Sequence, residues 1–369
     1  MKVLHVYKTY LPEDFTSVPR VIYNITKEII KNDNKSDVIT ILKEKITKIQ
    51  VHENHYIFNA KNNIEVSSSK FSLQILKLFK NIIPDYDIIN YHFPWPMSDI
   101  MFHYAGFRKP SIVTYHSDIV KQKNLFTLYQ PLMRSFLSRV DRIIATSPNY
   151  LHSSPVLRHY ENKTSVIPLG IADRSKVSDA LIHKWREELG DDFFLFVGSL
   201  RYYKGIQYLL EAAEKSGLKV VIAGCSKKSD ININNVPNNV KLLGIVDEEN
   251  KEALLSLCRA FILPSHLRSE AFGIALLEAA RAGKPMISCE MGTGTSFVNL
   301  NGLTGYTVAP ANSDVLVTAM LKLSTNKHNA LLMGQNARQR YEQFFTAENM
   351  GKAYMQAYHN TIESFHAKR

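Results

Sequence analysis

Glu270 and Glu278 stand eight residues apart in the part of this 369-residue chain that is richest in chemically informative residues. The run Ala260-Phe-Ile-Leu263 predicts a buried strand that stops at Pro264, and a polar loop then leads to Glu270. Gly273 opens a segment of helical periodicity, with Ile274, Leu277 and Arg281 on one face, and Gly283-Lys-Pro285 closes it. The backbone N–H groups around Phe272, Gly273, Ile274 and Ala275 then point out of a helix N-terminus, a place that favours phosphate. Neither carboxylate can hold that phosphate. Carboxylates accept hydrogen bonds, so they suit the vicinal hydroxyls of a sugar or a ribose. A sugar at one end, a ribose at the other and phosphate between them describe a sugar nucleotide.

A second stretch, Phe196-Val-Gly-Ser-Leu-Arg201-Tyr-Tyr-Lys204-Gly205, reads as strand, loop and helix start. Arg201 and Lys204 can reach a diphosphate from that loop and stabilise a departing nucleotide. Earlier in the chain, Tyr115-His116-Ser117-Asp118 ends a strand, where open α/β sheets bind ligands. Tyr91-His92-Phe93-Pro94-Trp95-Pro96 reads as an aromatic loop, in which His92 could stack on a sugar ring or line an acceptor groove.

Glu270-x7-Glu278, with Ala271-Phe-Gly-Ile274 after the first Glu, Gly283-Lys-Pro285 after the second and Leu263-Pro-Ser265 before both, resembles the signature of retaining glycosyltransferases of the GT-B fold, family 4. The resemblance implies two Rossmann-like α/β domains facing across a cleft. In that family a Lys-Gly pair follows an Arg in the phosphate loop. Here Ser199 takes the usual Arg place, so Arg201 is the substitute, beside Lys204 and Gly205. A histidine at the position of His116 lies beside the transferred sugar in the resembled family. The family's first-loop glycine pair is replaced by Phe15-Thr-Ser-Val-Pro19; Ser17 can still donate a hydrogen bond there, and Arg20 can face the acceptor. Gly292-Thr-Gly-Thr-Ser296, with the stretches at 91–96 and 115–118, is similar to a branch that builds bacterial surface polysaccharides from GDP-mannose or GDP-rhamnose.

Length allows two domains with substantial cores. No stretch reaches the roughly 18–20 apolar residues of a membrane span, and the N-terminus reads as a strand in place of a signal peptide. Cys225, Cys258 and Cys289 have neither disulfide nor metal spacing, as suits a reducing cytoplasm. The net charge is +11. Residues 1–170 hold 22 Lys+Arg against 14 Asp+Glu, so most of the excess lies there. It suits an anionic membrane face or a pyrophosphate-linked acceptor; no arginine-rich run or binding module points to nucleic acid. Asp85-Tyr-Asp87 matches the Asp-x-Asp of metal-dependent transferases but leads into a buried strand, and reads as structural. Neither a dinucleotide-binding nor a P-loop glycine pattern is present.

Short apolar runs alternate with amphipathic helices twice over, predicting two doubly wound parallel sheets. Strands are expected at Val3–Tyr7, Asp37–Leu42, Asp87–Tyr91, Ser111–Tyr115 and Arg142–Thr146. A second series runs through Phe193–Val197, Lys219–Ala223, Val240–Leu243, Ala260–Leu263, Met286–Ser288 and Gly305–Val308. The expected domains are 1–170 on the acceptor side, 171–349 for the nucleotide sugar, and a helix over 350–369 that crosses back to the first. The expected activity is retaining transfer of a hexose, most readily mannose from GDP-mannose, to a lipid-linked O-antigen-type acceptor. It would need no metal or cofactor, would prefer a GDP-sugar to a UDP-sugar, and would work in the cytoplasm on the inner face of the cell membrane. The rivals are a sugar-nucleotide epimerase of the same fold and a non-catalytic sugar-nucleotide-binding subunit.

Overall fold

The computed structural model describes residues 1–368 apart from 44–47, 62–63, 67–68, 107, 120–122, 175–176 and 225–234, so Cys225 lies outside the described residues. The chain divides into two compact units, Met1–Gly170 with Ala347–Arg369, and Ile171–Thr346.

The strands of the first unit are β1 Lys2–Val6, β2 Lys35–Leu42, β3 Lys48–His52, β4 His55–Lys61, β5 Ile64–Val66, β6 Ser69–Phe71, β7 Ile88–Phe93, β8 Ser111–Tyr115, β9 Arg142–Ala145 and β10 Thr164–Val166. Eight of them form one sheet in the order β10-β9-β8-β7-β1-β2-β4-β3, while β5 and β6 pair separately. Every pair in the large sheet is parallel except β3 with β4. A parallel sheet is covered on both faces, so its strands read as continuous apolar runs; Val3, Leu4, Val38, Ile39, Ile112 and Val113 are all fully buried.

The second unit has β11 Phe194–Val197, β12 Val220–Ala223, β13 Val240–Gly244, β14 Ala260–Leu263, β15 Met286–Cys289 and β16 Gly305–Val308. They form a parallel sheet in the order β13-β12-β11-β14-β15-β16. In both sheets the strand order reverses beside a strand whose following loop carries candidate residues. The reversal lies between β1 and β7 in the first sheet and between β11 and β14 in the second. Ligands of open α/β sheets bind at such points.

The last helix, Ala347–Ala367, packs on the helix Ser17–Ile30 and on the first sheet. Gly351 is needed there because a Cβ would overlap the side chain of Glu28. Tyr354 Oη bonds Thr114 Oγ1 at 3.0 Å, and Asn90 Nδ2 donates to Tyr358 Oη at 2.8 Å. Among the described residues no helix is long and apolar enough to cross a membrane.

Candidate active site

The second unit brings Lys204, Ser265 and Glu270 together from two loops. Lys204 ends a single 3₁₀ turn, Tyr202–Lys204, after β11, and Ser265 and Glu270 follow β14. Gly205 makes the approach possible. Its φ is 70°, and a Cβ would overlap the carbonyl oxygen of Pro264, so only glycine lets the loop lie against the end of β14. Lys204 Nζ donates to Glu270 Oε2, which also accepts from Ser265 Oγ at 3.1 Å. Burial opposes the charge on Lys204, but the neighbouring Glu270 and Tyr203 outweigh it and hold the Lys204 pKa above the ordinary lysine value. Next to Ser265, His266 stands between the rings of Tyr202 and Tyr208, and neither buried ring nitrogen has a hydrogen-bond partner among the described residues. Arg201 caps the 3₁₀ turn and is exposed.

Gly273 caps the helix Ile274–Arg281 with a φ of 84° and without a side-chain hydrogen bond to the first turn. Phe272 is buried, while Ile274 and Ala275 are half-buried. Glu278 stands one turn further and meets Lys251 Nζ at 2.7 Å, a pair with side chains 7% and 8% exposed. Lys251 also reaches the exposed Glu248 at 2.8 Å. Arg281 is buried as well, bonded to Glu252. The two glutamates thus have different partners: Glu270 holds Lys204 of the loop after β11, and Glu278 a lysine of the preceding helix. Lys251 escaped the sequence reading, although a lysine on the inner face of an amphipathic helix is a signal that could have found it.

In the first unit three histidines join edge to edge. His5 Nδ1 lies 2.9 Å from His92 Nε2, and His92 Nδ1 lies 2.9 Å from His116 Nε2. Register explains the line: His5 pairs with Asn90 and His92 with Thr114, and His92 and His116 each stand two residues further along the same face. Tyr7 borders the rings of His92 and His116. Burial lowers the pKa of His5 and His116 to about 3, helped at His5 by His55, and pushes His92 down through burial and its two histidine neighbours.

Two expectations are corrected here. Tyr91–Phe93 is not loop but the end of β7, a central strand between β1 and β8, so its aromatic residues fill the core. His92 is 0% exposed with both ring nitrogens engaged, so it cannot stack on a sugar or line a groove. The helix Ser17–Ile30 starts at Ser17, whose φ of 35° is the left-handed backbone that glycine favours. Ser17 is exposed, and the Arg20 guanidinium lies 5.9 Å from the Phe15 ring centroid. Asp85-Tyr-Asp87 serves the fold: Asp87 accepts from the Lys2 amide at 2.7 Å, and Tyr86 donates to Asp37 at 2.6 Å.

The glycosyltransferase family 4 pattern matches residues 18–174, and the pattern of glycosyl transferases group 1 matches residues 177–340. Sucrose-phosphate synthase from Thermosynechococcus elongatus superposes with a TM-score of 0.81 at 17% identity, covering 98% of this chain and 99% of that one. The structure of Anabaena HepE in complex with UDP and glucose gives 0.77 at 18% identity, over 97% and 99%. The fold is GT-B, two Rossmann-like units with parallel sheets, and the molecule is a glycosyltransferase. O-antigen chain mannosyltransferase C of Escherichia coli is 46% identical over 99% of this chain and 100% of its own length. D-rhamnosyltransferase WbpZ of Pseudomonas aeruginosa is 44% identical over 94% of this chain and 93% of its own. The chain belongs to glycosyltransferase family 4, in the branch of these O-antigen mannosyl- and rhamnosyltransferases.

Proposed function

We propose that this enzyme moves mannose from GDP-mannose to a lipid-linked, O-antigen-type acceptor, with retained configuration and no metal ion. The observation that carries the proposal is the Lys204–Glu270–Ser265 cluster at the strand-order reversal of the second sheet. Its likeness to a mannosyltransferase at 46% identity supports the sugar.

The bond between the anomeric carbon and the diphosphate oxygen breaks first, leaving an oxocarbenium-like centre. Lys204, Arg201 and the N–H groups near Phe272–Ala275 stabilise the departing charge. A donor phosphate oxygen takes the proton of the acceptor hydroxyl, whose oxygen closes on the anomeric carbon from the side the diphosphate left. The arriving diphosphate replaces Glu270 as partner of Lys204, and Glu270 is released to accept from sugar hydroxyls. Glu278 holds the ribose, His116 serves the sugar, and Ser17 and Arg20 serve the phosphates and the acceptor.

The basic excess of residues 1–170 supports work at the inner face of the cell membrane. So do Leu73 and Leu128, 77% and 81% exposed on helices that also carry Lys77, Lys80, Arg134 and Arg139. The test is radiolabel transfer from GDP- and UDP-sugars to extracted lipid-linked oligosaccharide. Label arriving from GDP-mannose is expected, and transfer only from UDP-sugars, or only to free sugars, would overturn the proposal.

A further inference from the structure

The three-histidine line is a chain of hydrogen bonds with two open ends. At one end His5 Nε2 is buried and has no partner among the described residues; at the other, His116 is 8% exposed where His5 and His92 are 0% exposed. Neutral imidazole carries one N–H and one lone pair, so each bond in the line fixes the next. Only two arrangements satisfy both inner bonds. In one, every ring is protonated at Nδ1, His5 Nε2 is a bare lone pair, and His116 offers Nδ1–H outward. In the other, every ring is protonated at Nε2, His5 buries an N–H without an acceptor, and His116 offers a lone pair outward.

A buried N–H without an acceptor is the rarer defect in folded proteins. The polar surroundings do not relieve it: Asn90, opposite His5 in register, spends its Oδ1 on Thr114 and its Nδ2 on Tyr358. We infer that His5 and His92 are positioning residues that hold His116 in the Nδ1–H form, so that it donates a hydrogen bond to the bound sugar and does not act as a base. The inference rests on the transferase reading for the identity of the ligand. It also agrees with a mechanism in which the acceptor's proton goes to a donor phosphate and no side chain is needed as general base. The neutral histidine side chain in water prefers the Nε2–H form, so the opposite form on all three rings is a signature that the bonded line produces.

The test uses the full chain labelled with 15N-histidine, with two-bond 1H–15N spectra at pH 7 in the absence of donor and acceptor. His116 and His92 are expected as neutral Nδ1–H rings. His5→Asn keeps an N–H donor near the place of Nδ1 and should preserve both the spectrum and most of kcat. His5→Asp offers only an acceptor there, should switch both remaining rings to Nε2–H, and should lower kcat roughly ten- to a hundredfold with donor KM held within about twofold. Nε2–H on His116 in the wild-type protein overturns the inference, as does equal loss of kcat in the two variants. If His5→Asp does not fold, the wild-type spectrum still decides. The spectra need no turnover, so failure of this inference and failure of the transferase reading are told apart.

Discussion

Glu270 and Glu278 have identical chemistry and different surroundings, and the difference sets what each loss should do. In the proposed mechanism a diphosphate takes over Lys204 and frees Glu270, whose bonds to sugar hydroxyls then strengthen as the ring distorts. Glu270→Gln should therefore lower kcat as well as donor affinity. Glu278→Gln removes the buried carboxylate that Lys251 meets at 2.7 Å and leaves it the exposed Glu248 at 2.8 Å. It should cost about 3 kcal/mol of stability, the low end for breaking a buried pair, and raise donor KM. Urea unfolding beside donor-saturation kinetics checks both; a silent Glu270→Gln, or a Glu278→Gln as stable as the parent, contradicts the assignment. Both glutamates, Lys204 and Gly273 were legible in the sequence because they stand in short local spacings. Their partners were not. Lys251 lies 27 residues from Glu278, and His5 lies 87 residues from His92, distances over which only the assembled helices and sheet make neighbours.

At the scale of elements, the Lys204 loop depends on glycine geometry. Gly205→Ala has to change a φ of 70° and clear the Pro264 carbonyl, so it should cost about 1–3 kcal/mol and lower kcat/KM. Thermal unfolding with kinetics is the check, and unchanged kcat/KM would mean that Lys204 is not held by this contact. The histidine line makes the first sheet acid-labile. His5, His92 and His116 stay neutral in the fold far below the ordinary histidine value, so between about pH 3 and 6.5 the unfolded chain binds more protons. Their stabilisation is complete above about pH 6.5 and is lost as pH falls. Asp99, raised by burial to about 8, tilts stability the other way between about pH 4 and 8. His5→Asn should therefore flatten the rise of Tm from pH 4.5 to 6.5, whereas an unchanged slope would show that His5 is protonated in the fold. Most of the parallel strands were legible as short apolar runs, but β4 and β10 were not. The β3–β4 hairpin was not, since β3 is an exposed edge strand of mostly polar residues. The helix Gly294–Val298 was not legible either, since five residues are too few to show a helical period.

For the whole molecule, the chain returns to its first unit through the helix Ala347–Ala367, whose tyrosines close a polar seam on the sheet face that also carries the histidines. Tyr358→Phe leaves Asn90 Nδ2 buried and unbonded and should cost about 1–2 kcal/mol, measured by urea unfolding. A loss within error would mean that the Asn90–Tyr358 bond does not help to hold the helix. The two-unit pattern was visible in the repeated alternation of strands and helices. Phe345 ends the helix Lys327–Phe344 before the return helix begins at Ala347, and Asn326 caps the start of Lys327–Phe344 by accepting from the Asn329 amide. What the fold and the Lys204–Glu270 cluster are proposed to accomplish together is a metal-free transfer that keeps the donor's configuration. The most direct measurement is one reaction: the full chain, GDP-α-mannose and lipid-linked acceptor in excess chelator, with the one-bond carbon–proton coupling of the new anomeric centre read by NMR. An α-mannoside formed at an undiminished rate is the predicted result; a β-mannoside, or no product until manganese or magnesium is restored, would contradict it.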